Sequence, residues 1–110
     1  MMTRIRKLFS MIPSLCRGGL LGLHPRVELR GFTRVDGLPR VRSRNGSKLT
    51  LGARTRLFRG VEFSLESPSA RIVIGPRTFI NRRTHLISAE NVSVGSDCAV
   101  SWDVIISDTD

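Results

Sequence analysis

A six-residue beat of aliphatic side chains is the feature that most narrows what this chain can fold into. Leu51, Leu57 and Phe63 are six apart, as are Ile74, Ile80 and Leu86, and again Val94, Val100 and Ile106. Gly52, Gly75 and Gly95 follow the first member of each triple, and Leu49, Ile72 and Val92 precede it by two positions. The stretches "KLTLGARTR", "RIVIGPRTF" and "VSVGSDCAV" are therefore one repeated unit. The triples start 23 and then 20 residues apart, which is three hexads plus an insertion of five or of two residues. A sandwich built from hairpins would alternate with period two and would not sustain this beat.

The physics of the beat predicts an all-β, parallel β-helix. A short strand takes four or five residues and then the chain must bend; three bends close one coil of a triangular prism. The aliphatic residue at each hexad start points inward and stacks on its counterpart one coil away, so Leu51, Ile74 and Val94 are expected in one interior column. The glycine after it is expected where the backbone turns and a Cβ is costly. Insertions leave at the corners as loops. One coil cannot bury its own inward face, so stacking is obligatory.

Upstream the texture differs. "RVELRGFTRV" alternates, with Val27 and Leu29 on one side and Glu28 and Arg30 on the other, and Asn45-Gly46 signals a turn. Residues 1–25 are expected to form an N-terminal amphipathic helix and a lead-in loop, and residues 26–110 the β-helix domain. Ile5, Leu8, Phe9 and Ile12 fall on one helical face, with Arg4, Arg6 and Lys7 off it. The apolar segment is too short to span a bilayer and is broken by Pro13, and no small-residue cleavage site follows. Such a helix either lies on a membrane surface through residues 1–15 or packs against the domain.

Charge divides the chain. Eighteen Lys+Arg oppose nine Asp+Glu, for +9 overall. Residues 1–60 carry fourteen basic and two acidic side chains, whereas residues 61–110 carry four and seven. The first part suits an anionic partner: nucleic acid, anionic lipid or an acidic saccharide. Nucleic-acid binding is disfavoured because only Phe9, Phe32 and Phe58 supply aromatic platforms in the first sixty residues. Cys16 and Cys98 lack metal-ligand spacing, and two lone thiols suit a reducing cytosol better than a disulfide framework. There is no Gly-rich phosphate loop, Cys/His cluster or nucleophile elbow.

The grid, with an aliphatic-Gly pair at coil starts, resembles the hexapeptide-repeat acyltransferases, which are left-handed parallel β-helices. The left hand is implied by the resemblance alone, since parallel crossovers are otherwise right-handed. The segment "INRRTHLISAENVSVGSDCAVSWDVIISDTD" is similar to the branch that acetylates sugars in bacterial capsule, exopolysaccharide and lipopolysaccharide biosynthesis. The resemblance implies a cytoplasmic homotrimer, peripheral to the inner face of the membrane if residues 1–15 touch it. It would take acetyl-CoA as co-substrate and a sugar or polysaccharide precursor as acceptor. In that family an Asp-x-Asp run is followed closely by the catalytic histidine. Here Asp108-Thr109-Asp110 ends the sequence, so the resemblance implies the front part of an enzyme, inactive by itself, with no catalytic residue in this chain. The rival expectations are a basic nucleic-acid or membrane-surface module, and a non-catalytic remnant that binds homologous subunits.

Five residues are candidates for substrate binding by resemblance. Asn81 would face the acceptor sugar; as an ordinary corner residue it would instead take a left-handed turn. Trp102 and Asp103 would line the cleft wall, where an indole face can stack on a sugar ring; Trp102 could equally cap the last coil. Asp108 and Asp110 would flank and orient the histidine, or form a solvated acidic end. No cofactor-binding or metal-binding residue is expected. His85 and His24 are read as surface or corner histidines.

Overall fold

The structure is a computed structural model and describes residues 21–108. The expected amphipathic helix and Asp110 lie outside the described residues. Within them the backbone winds through four coils of three short strands each. The first coil holds β1 (Val27–Leu29), β2 (Arg34–Val35) and β3 (Arg40–Arg42). The second holds β4 (Lys48–Leu51), β5 (Arg56–Leu57) and β6 (Glu62–Leu65). The third holds β7 (Arg71–Ile74), β8 (Phe79–Ile80) and β9 (His85–Ser88). The fourth holds β10 (Asn91–Val94), β11 (Ala99–Val100) and β12 (Ile105–Ser107).

Each strand pairs in parallel with its counterpart one coil away, which gives three four-stranded sheets. The first is β1-β4-β7-β10, the second β2-β5-β8-β11 and the third β3-β6-β9-β12. The fold is a parallel β-solenoid. The register bears out the hexad grid: Leu51 pairs with Ile74, and Ile74 with Val94, in one column. Leu57, Ile80 and Val100 form the column of the second sheet, and Phe63, Leu86 and Ile106 that of the third. The inward residues of the two middle coils are the buried core, including Leu49, Leu57, Phe63, Ile72, Ile80 and Leu86. This burial is what holds the coils together, at roughly 1.5–3 kcal/mol per fully buried large aliphatic side chain.

A fourth triple extends each column. Leu29, Val35 and Val41 are also six apart and pair with Leu51, Leu57 and Phe63. The segment "RVELRGFTRV" is thus a coil of the same solenoid. It is harder to recognise because Arg30, not glycine, follows its first aliphatic residue.

The insertions all leave at one corner, between the third sheet of one coil and the first sheet of the next. They are residues 43–47, 66–70 and 89–90. The Asn45-Gly46 turn belongs to the first of these, with Gly46 at φ 92°. There Ser47 Oγ donates to the Arg44 carbonyl at 2.6 Å.

The expected cost of a Cβ after the hexad start holds at Gly52 and Gly75 but not at Gly95, where it would meet only Cys98 Sγ at 3.6 Å. Gly52, Gly75 and Gly95 do not take the left-handed conformation; that falls two positions later, at Arg54, Arg77 and Asp97 (φ 61°, 57° and 55°). Gly52 and Gly75 are needed because successive coils touch there. A Cβ on Gly52 would meet Pro76 N at 2.5 Å, and one on Gly75 would meet Gly95 C at 2.5 Å.

Candidate functional site

The second corner of the prism, between the second and third sheets, gathers polar residues from three coils. Its geometry follows from position. Arg59, Arg82 and Trp102 each stand two residues after an inward side chain, namely Leu57, Ile80 and Val100. Those inward residues are in register, so the three corner residues form one outward ridge at the inter-strand step of about 4.8 Å. The next position holds Gly60, Arg83 and Asp103, all with positive φ (76°, 57° and 57°). The position before the ridge places Phe58 beside Asn81, through the bond from Phe58 N to the Ile80 carbonyl (3.0 Å).

Phe58, Asn81, Arg82, Arg83 and Trp102 line a hollow of about 430 Å³. An adjoining hollow of about 320 Å³ is lined by Arg59, Gly60, Arg82 and Arg83. The structure therefore brings two of the sequence candidates, Asn81 and Trp102, to one concave surface. Trp102 is 60% exposed, so its ring is open to a ligand. Asn81 does not adopt the left-handed corner conformation, which belongs to Arg83. Its Oδ1 accepts from Arg82 N at 2.8 Å, which fixes the amide and leaves Nδ2 as a donor.

Asp103 is engaged otherwise. Arg83 Nε and Nη2 donate to its two carboxylate oxygens at 2.7 and 2.8 Å, a bidentate pair between successive coils. That hydrogen bonding, with the guanidinium charge, holds the Asp103 carboxyl below the ordinary carboxylate range. Arg77 and Asp97 repeat the arrangement at the first corner, at 2.7 and 2.9 Å.

Asp108 also has a defined environment, at the third corner. Its carboxylate accepts from the backbone N–H groups of Ala89, Glu90 and Asn91 at 2.7, 2.9 and 2.7 Å. These bonds, Ala89 first, hold its carboxyl below the usual range. Asp108 thus ties the end of the fourth coil to the loop that begins it. Asp103 and Asp108 lie at different corners, so the five candidates do not form a single cluster.

His85 stands on the outward face of the third sheet. Its Nε2 lies 2.8 Å from Ser64 Oγ and 3.7 Å from Glu62 Oε2. His24 Nδ1 accepts from Arg26 N at 3.1 Å. A further hollow of about 560 Å³ is lined by Arg42, Ser43, Arg44, Ser64, Leu65 and Glu66, and contains no aromatic side chain. Cys98 is a free thiol. Among the described residues no group of three or more His, Cys, Asp or Glu could hold a metal ion.

Sequence reasoning missed Arg59 and Arg82. The signal that could have found them is their fixed offset from the inward grid, the same offset that marks Trp102. No protein-family model, curated protein or solved structure matches this chain.

Proposed function

We propose that this chain is the N-terminal part of an acyltransferase that moves an acetyl group from acetyl-CoA to a sugar hydroxyl, in the biosynthesis of a bacterial surface polysaccharide. The hexapeptide-repeat resemblance supplies the reaction and the left hand of the helix. The observation that carries the reading is the meeting of Asn81 and Trp102, from successive coils, in one open hollow. An indole face suits the C–H face of a pyranose, and an amide N–H suits a sugar oxygen. A sugar hydroxyl is a weak nucleophile, so attack on the thioester carbonyl needs a general base to take its proton. The tetrahedral intermediate then expels the coenzyme A thiolate.

In this reading the base is a histidine that follows the Asp-x-Asp run. Asp108 contributes by holding the end of the fourth coil through three backbone N–H groups. The homotrimer and the cytoplasmic, membrane-peripheral location belong to the same proposal.

The test reads the coding sequence beyond Asp110 and assays the protein it encodes. A histidine shortly after Asp110, followed by further hexads, is expected. The extended chain should release coenzyme A from acetyl-CoA only when a sugar acceptor is present, and the 110-residue chain should not. Absence of that histidine in every frame, or no sugar-dependent release, would overturn the reading.

A further inference from the structure

Each bidentate pair on the solenoid corners neutralises an arginine with an aspartate one coil away: Arg77 with Asp97 and Arg83 with Asp103. The ridge beside the second pair breaks this rule. Arg59 and Arg82 occupy equivalent positions in successive coils, so two guanidinium-bearing side chains leave the backbone about 4.8 Å apart. Both are exposed, and neither has an ion pair among the described residues. The residue that continues the ridge, where the neighbouring column has Asp103, is Trp102. Two stacked cations with no acid between them repel one another, and the arrangement is relieved when an anion bridges them. A guanidinium suits an oxyanion because its donors form a planar fork.

We propose that this ridge binds an acidic saccharide, one carrying a phosphate or carboxylate group. Arg59 and Arg82 take the oxyanion, and the Trp102 indole takes the sugar ring. The Asn81 amide, oriented by its bond to Arg82 N, donates to a ring substituent. The two adjoining hollows share Arg82 and Arg83, which gives the oxyanion and the ring contiguous places. The inference rests on the sugar-acceptor reading above and adds the charge of the acceptor.

Trp102 is the single tryptophan of the chain, so its fluorescence reports on this site alone. The 110-residue chain is titrated at low salt with glucose 1-phosphate, glucuronate, glucose, inorganic phosphate and a single-stranded oligonucleotide. At least one of the two acidic sugars should change the emission saturably, and the tighter of them identifies the oxyanion. Glucose and inorganic phosphate should each bind at least about tenfold more weakly, since each offers half of the contacts. Arg59→Ala and Arg82→Ala should each weaken the acidic sugar by about tenfold or more. Arg54→Ala, an exposed arginine at the first corner, should leave binding unchanged. Circular dichroism checks that each variant keeps its β structure.

The proposal is overturned if neither acidic sugar alters the emission, or if folded Arg59→Ala and Arg82→Ala bind as tightly as the parent. It is overturned too if glucose, inorganic phosphate or the oligonucleotide binds as tightly as the acidic sugars. Binding here without acetyl transfer by the extended chain would sink the acyltransferase reading and leave this site standing. Transfer to neutral sugars, indifferent to both arginine substitutions, would do the reverse.

Discussion

A Cβ built on Gly75 would lie 2.5 Å from the carbonyl carbon of Gly95, one coil away. Gly75 N is itself committed to the Val94 carbonyl at 2.7 Å, so the backbone there cannot drift apart without losing a rung of the ladder. Gly75→Ala should therefore destabilise the protein by at least about 1–3 kcal/mol, the usual cost of overpacking. Gly95→Ala meets only Cys98 Sγ, at 3.6 Å, and should change stability by no more than about 0.5 kcal/mol. Urea titrations of the two variants check the contrast. Equal stabilities would mean that the coils do not approach as closely as described.

The column through the second sheet gives a second expectation. Leu57 is fully buried between Val35 and Ile80. Leu57→Ala should cost about 2–5 kcal/mol, because the flanking coils cannot collapse into the space without breaking register. Val73 lies on the outward face of the same coil stack, and Val73→Ala should stay within about 0.5 kcal/mol. The same denaturation measurement separates the two.

Stability should depend on acid in a direction fixed by three aspartates. Asp97 is held below its ordinary value of 3.8 by its hydrogen bonds to Arg77, Asp103 by those to Arg83, and Asp108 by the backbone N–H groups led by Ala89. A depressed folded-state pKa means that the unfolded chain takes up protons first. The stabilisation is thus fully present above the unfolded value near 3.8 and is lost as pH falls through the lower folded values. Thermal melts should be insensitive to these groups from neutral pH down to about 5 and drop below about 4. Asp108→Ala should lower the neutral-pH melting temperature and flatten the acid drop. An unchanged acid limb would show that Asp108 does not hold the loop at residues 89–91.

The indole of Trp102 is exposed in the unliganded protein. Acrylamide should quench its fluorescence nearly as efficiently in the folded chain as in concentrated urea. Strong protection in the folded state would mean that the ridge is covered and cannot receive a ligand as described.

Much of the fold was legible in the sequence because the hexad beat is a covalent spacing. Leu51, Leu57 and Phe63 must face the same interior if the chain bends every six residues, and Ile74, Ile80 and Leu86 must then lie over them. The first coil was harder to see because Leu29, Val35 and Val41 keep the beat without a glycine after Leu29. The expected cost of a Cβ is met at Gly52 and Gly75, but its source was not legible in the sequence. Close approach of Gly52 to Pro76 and of Gly75 to Gly95 joins residues about twenty positions apart, and nothing local signals it. Among the candidate site residues, Asn81 and Trp102 were visible and do meet, whereas Asp103 is committed to Arg83 and Asp108 to the backbone of residues 89–91.

By itself, the sequence determined that this chain coils in hexads and which side chains face inward, since both follow from periodicity along one strand of backbone. Only the tertiary structure decided how the polar residues between those side chains are partnered. Arg59, Arg82 and Trp102 are separated by 23 and 20 residues, and they line up only because insertions of unequal length loop out at a different corner. Arg83 finds an aspartate one coil away, whereas Arg59 and Arg82 hold equivalent positions in successive coils with no ion pair among the described residues. Charge pairing depends on distance through space, which the order of residues along the chain does not contain.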